Sequence, residues 1–217
     1  MSVYVGVVLA CAAGGAQGSA IILVIDPSFG STESTGATAR LSLSFTEDGL
    51  NDLLHVLIEN TTPGSIGSSL TAVGFEVPDS WPATFASGGT GTFFDELDLD
   101  VAISPGWLSA PGGYDVMITS DHNFEGGSPQ GAPTEGESES IVLNLGNTGS
   151  TPDQLVTLFT TYYAGLEGYY AVGRFQAVGP GGELSDKVAG NAPEPGTLLL
   201  LGCGGLAALR RRSKAVR

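Results

Sequence analysis

The densest set of carboxylates in the chain is the run Asp95, Glu96, Asp98 and Asp100. Glu96, Asp98 and Asp100 alternate with Leu97, Leu99 and Val101, so on a strand the three acids share one face. A glycosidase needs two carboxylates facing each other across a sugar, roughly 5–9.5 Å apart, in a cleft that raises one pKa. Residues two apart on a solvated strand face meet the spacing without the burial, so the expectation is a solvated acidic face. Asp121, Asn123 and Glu125 form a different pattern: oxygens at positions 1, 3 and 5 before Gly126 repeat the opening of a calcium loop. The closing bidentate Glu is missing, because Ala132 stands at the twelfth position and Glu135 lies three further on. That excludes an EF-hand and leaves a looser loop as the one calcium candidate; no other cofactor is expected.

His55 and His122 are the only histidines. A triad needs one of them beside a nucleophilic Ser and an acid, but no Gly-x-Ser-x-Gly elbow occurs. His55 also falls on the strand face opposite Leu54, Val56 and Ile58. Two histidines and no cysteine in the body make a structural zinc site unsupported. Trp81, Trp107 and the pairs Tyr162-Tyr163 and Tyr169-Tyr170 are suited to stacking on sugar rings if exposed, although core packing is the commoner use of such residues.

The segments that must position these residues read as β-structure. Leu41, Leu43 and Phe45 alternate with Ser42, Ser44 and Thr46, and Leu54, Val56 and Ile58 do the same after a turn beginning at Glu47-Asp48-Gly49. Further strands carry Val73, Phe75 and Val77; Leu97 to Ile103; Tyr114, Val116 and Ile118; Ile141, Leu143 and Leu145; and Tyr170 to Val178. About seven strands between Gly, Pro, Ser and Thr loops predict a mainly β fold, an antiparallel β-sandwich. One segment has a different period. Thr151-Pro152-Asp153-Gln154 offers a cap, a first-turn proline and a capping-box glutamine, and Leu155, Leu158, Phe159 and Tyr162 follow at helical spacing up to Gly165. It predicts one short amphipathic helix.

Charge excludes one class of partner. Five of the eight basic residues lie beyond Leu209, which leaves Arg40, Arg174 and Lys187 against 23 acids, a net charge of −20 before the basic cluster. Such a body does not bind nucleic acid. It attracts divalent cations, cationic polymers or neutral sugars, and the acidity also serves solubility.

Both ends of the chain read as targeting segments. Residues 1–20 have an apolar stretch through Val3, Val5, Val7, Val8 and Leu9 followed by small residues, the pattern of a secretory signal peptide cut by signal peptidase. No Lys or Arg precedes that stretch. At the other end, Pro193-Glu194-Pro195-Gly196-Thr197 is followed by an apolar run over 198–209 and a basic tail over 210–217 containing Arg210, Arg211 and Arg212. The prolines keep the motif extended and accessible. The apolar run is shorter than the ~20 residues that usually span a bilayer core, and the arginines offset this by snorkelling to the head groups on the cytoplasmic side. Cys11 and Cys203 both fall in these targeting segments, so the body carries neither disulfide nor thiolate.

This tripartite tail resembles the PEP-CTERM sorting signal, which a membrane peptidase, the exosortase, reads. The resemblance implies an inner-membrane precursor, with a transient membrane helix, and release or anchoring at the cell surface or in the extracellular matrix. A tail of this kind also goes under an ice-binding name, but the body lacks regular Thr-x-Thr ladders. In the body, Leu70 to Pro78 after Glu59-Asn60-Thr61-Thr62, and Val172 to Val178 before Ser185-Asp186-Lys187-Val188, resemble segments of exported PEP-CTERM proteins whose bodies have no assigned function. The expected organisation is a signal peptide over 1–20, a β-sandwich over 21–178, a linker over 179–192 and the sorting signal over 193–217. The expected function is that of a non-catalytic surface or matrix protein associated with exopolysaccharide or biofilm. The alternatives are a carbohydrate-binding module and a glycoside or other hydrolase.

Overall fold

The computed structural model describes residues 20–78, 81–103, 108, 113–120, 124, 129–166 and 168–191. The described residues all belong to one compact unit, Leu9–Ala192. The signal peptide of 1–20, apart from Ala20, and the sorting signal of 193–217 lie outside them.

The described part is mainly β with one helix. Its strands are β1 (Ile21–Ile25), β2 (Ala39–Asp48), β3 (Asn51–Asn60), β4 (Ser69–Phe75), β5 (Thr84–Phe85), β6 (Glu96–Val101), β7 (Tyr114–Thr119), β8 (Ser138–Asn144), β9 (Ala171–Val178) and β10 (Leu184–Asn191); the helix α1 (Pro152–Gly165) lies between β8 and β9. All seven segments expected as strands are present, as β2, β3, β4, β6, β7, β8 and β9. The ten strands hydrogen-bond as one antiparallel sheet in the order β5-β8-β3-β2-β1-β10-β9-β4-β7-β6. The sheet folds over a single main core, which gathers Leu43 and Val56 from one half with Phe75, Ile118 and Phe175 from the other. Its two layers are therefore parts of one continuous sheet.

The longest pairing follows directly from the alternation. β2 and β3 match residue for residue from Ala39↔Asn60 to Asp48↔Asn51, closed by a two-residue turn in which Gly49 takes φ 64°. Glycine at the first turn position is what a tight hairpin matching the strand twist calls for. Inward-facing Leu41, Leu43, Phe45, Leu54, Val56 and Ile58 are all essentially inaccessible.

The stretch expected as a linker, 179–192, needs correction. Leu184–Asn191 is strand β10, paired to β9 on one side and to β1 on the other. β1 and β10 thus join the two halves of the sheet at its centre, and the folded domain runs to Asn191. The segment looked like a linker because its sequence, LSDKVAGN, has no regular alternation and carries a charged pair. What makes it a strand is a distant loop that satisfies Asp186, described below.

β4 is buried over its whole length, because a second, smaller cluster covers the outer face of the sheet. Ile103, Leu108 and Phe124 pack there on Ala72, Met117, Val172 and Ala189. A helix closes the other side. Thr151 caps α1 by accepting from the Gln154 amide while the Gln154 side chain accepts from the Thr151 amide, the reciprocal box read from the sequence. Leu155, Phe159 and Tyr163 enter the core, with Phe159 4.9 Å from Phe45 between ring centroids.

Candidate functional site

Three loop-to-strand ties hold the frame. The Asp186 carboxylate accepts from the Ser31, Thr32 and Thr35 hydroxyls at 2.7–3.0 Å and from the Thr32, Glu33 and Thr35 amides at 3.0–3.1 Å. Burial pushes this carboxyl up, but the hydrogen bonds from Thr35, Ser31 and Glu33 outweigh it and hold its pKa below the ordinary value. Asn60 is a second node: its amide donates to the Ser68 and Pro133 carbonyls at 3.2 and 3.0 Å, and its carbonyl accepts from Thr62 at 3.1 Å. In the third, Glu139 on β8 accepts from the amides of Thr92, Phe93 and Phe94, fixing the approach to β6.

The sheet leaves a seam. β5 and β6 are its two edges and are not paired to each other. Between β6 and the run that leads into β5 a cleft of about 240 Å³ opens, lined by Pro78, Trp81 and Ala83 from the β4–β5 connection, Leu99 and Asp100 from β6, and Asp115 from β7. Leu99 stands opposite Val116, a core residue, yet is 49% exposed. The cause is its place on the last strand, where no further strand covers it. Asp100 takes φ 55°, a left-handed conformation that aspartate tolerates better than most residues. The Asp115 Oδ2 accepts from the Val77 amide at 2.9 Å, which ties the Trp81 wall to β7. Trp81 is half-buried and packs on Phe159 at 5.5 Å between centroids. A second, shallow groove of about 670 Å³ adjoins at Pro78 and runs along α1 past Leu158, Tyr162 and Leu166.

The sequence-derived candidates fall as follows. Asp121, Asn123 and Glu125 of the expected calcium loop lie outside the described residues, as do His122, Trp107, the motif Pro193, Glu194 and Pro195, and Arg210, Arg211 and Arg212. Among the described residues no three acids or histidines are grouped as a metal would need. Glu96 and Asp98 pair with Thr119 and Met117 on β7, while Asp100 turns to the seam. His55 lies half-buried on the outward face of β3 as expected, its Nε2 2.7 Å from the Thr46 hydroxyl, and burial lowers its pKa. Its partner is a hydroxyl, not an acid. Tyr163 is buried and donates to the Glu76 carbonyl at 2.7 Å, so it serves the core. Tyr170 stacks on Tyr163 at 5.7 Å. Sequence reading missed the seam cleft, since it is assembled from three separate segments. The nearest signal was Leu99, an apolar residue within the acidic run.

Comparison with known proteins bears on the tail. The PEP-CTERM protein-sorting motif matches residues 191–213. The chain thus carries the sorting signal that its Pro-Glu-Pro segment resembled, and that signal implies an exosortase as processing partner and export to the cell envelope or surface. No curated protein and no solved structure matches the chain. The two stretches resembling exported PEP-CTERM bodies fall on β4, β9 and β10, three strands adjacent in the sheet, and on the Asn60 node.

Proposed function

We propose that the body is a non-catalytic surface or matrix module that its tail delivers and that lodges in extracellular polysaccharide. The observation that carries this is the juxtaposition of two boundaries: β10 ends at Asn191, and the matched sorting motif covers 191–213. The sheet is complete before Pro193, so a cut near the motif leaves a finished domain. The charge of −19 over residues 21–192 keeps that domain soluble and repels it from anionic membrane surfaces once the tail is gone. In this reading the apolar run 198–209 holds the precursor in the inner membrane, with Arg210, Arg211 and Arg212 on the cytoplasmic side, after signal peptidase has removed 1–20.

The absence of catalysis is part of the proposal. His55 is engaged with Thr46, and β6 places Glu96 and Asp98 opposite Thr119 and Met117 along the sheet. Glu194→Ala, or serine in place of Arg210 to Arg212, should leave the domain folded while the chain accumulates in the membrane fraction. Fractionation with blotting reads this. Normal release of both variants would sink the sorting role of these residues. Hydrolysis of a polysaccharide panel by the purified body, lost in His122→Ala, would overturn the non-catalytic reading.

A further inference from the structure

The seam cleft combines features that packing alone does not call for. Among the described residues Asp100 has no hydrogen-bond or ion-pair partner, and Asp115 uses one carboxylate oxygen to hold the Val77 amide. Carboxylates only accept, so an occupant must donate. The remaining walls, Trp81, Leu99, Pro78 and Ala83, are apolar, which suits a flat body carrying donors on one side. At about 240 Å³ the cleft lies below the ~300–1,000 Å³ typical of drug-sized sites, which limits it to roughly one ring. The body's net charge of −19 over residues 21–192 favours a cationic donor over a neutral one. Pro78 also lines the groove along α1, where Leu158 and Tyr162 continue the apolar surface, so the space suits a chain and not only a single ring.

We propose that the seam cleft binds a hexosamine unit of a polysaccharide through its free ammonium group. The ring's C–H face would lie on Trp81 and the ammonium between Asp100 and Asp115, joining aromatic attraction for a cation to charge-assisted hydrogen bonds. Further rings would follow the groove past Pro78. This rests on the reading that the body lodges in polysaccharide, and it names the sugar chemistry that the body would grip.

Isothermal titration of the body with a fully de-N-acetylated glucosamine tetramer tests it, with the N-acetylated tetramer and a lysine tetramer as comparison ligands. The tetramer of free amines should bind, its acetylated counterpart at least about tenfold more weakly, the scale of one charge-assisted contact. Asp100→Asn and Asp115→Asn should each weaken binding to a similar degree, while Asp95→Asn, which removes the same charge from the same acidic run, should not. Asparagine at 115 keeps an acceptor for Val77, so the wall should stay in place. Trp81→Phe, which retains packing on Phe159, should weaken binding less than Trp81→Ala, with thermal melts confirming that each variant folds. Equal loss in Asp95→Asn, equal binding of the acetylated tetramer or of the lysine tetramer, or no binding at all would each overturn the proposal. None of these results would alter the mass of the processed chain, so the delivery reading stands or falls separately.

Discussion

Asp186 is 2% exposed, and four residues of one loop, Ser31, Thr32, Glu33 and Thr35, turn their donors on it. A buried carboxylate is costly unless its oxygens are satisfied, and here both are. Asp186→Asn removes the charge and turns one acceptor into a donor facing donors. We expect a loss of roughly 2–4 kcal/mol, read by denaturant unfolding. The pH dependence has a definite sign. The folded pKa lies below the unfolded value of about 3.9, so the contribution is fully present above that value and is lost as pH falls through the folded pKa. The wild type should therefore lose stability on acidification below about pH 4 more steeply than Asp186→Asn. Parallel acid-unfolding curves would contradict this.

At the scale of elements, the sheet depends on two strands that meet at its centre. β1 and β10 pair only through Val24↔Asn191 and Ile25↔Gly190, yet through them the halves are joined. A Cβ at Gly190 would lie 2.9 Å from the Val24 carbonyl oxygen and 2.8 Å from the Ile25 side chain. Gly190→Ala should accordingly cost about 1–3 kcal/mol through overpacking. A chain ending at residue 178 should fail to fold, whereas one ending at Asn191 should give a cooperative melt; equal stability would show β10 to be dispensable. Thr151→Ala should cost about 1 kcal/mol by removing one half of the capping box.

Which elements were legible in the sequence follows from locality. The alternation of Leu41, Leu43 and Phe45 and the Thr151-to-Gln154 box state their structure within a few residues, and both are present as read. β10 was not legible, because Asp186 becomes acceptable in a strand only through Ser31 to Thr35, more than 150 residues away. The second cluster over β4 hid in the same manner, behind Ile103, Leu108 and Phe124 from loops. The seam cleft needed the topology itself, since Leu99 and Trp81 come to line one cleft only where the sheet runs out of strands.

At the scale of the whole molecule, an acidic all-antiparallel body is finished at Asn191, and the matched sorting motif takes over there. We expect the two to be separable: the tail decides location, and the body persists after the tail is removed. The intact mass of the protein recovered from the cell surface or matrix decides this. The expected result is a chain that ends near Pro193 to Thr197, lacks Arg210 to Arg217 and melts as cooperatively as a chain made to end at Asn191. A recovered protein that still carries Arg217, or an equal surface yield from a chain lacking everything after Ala192, would contradict it.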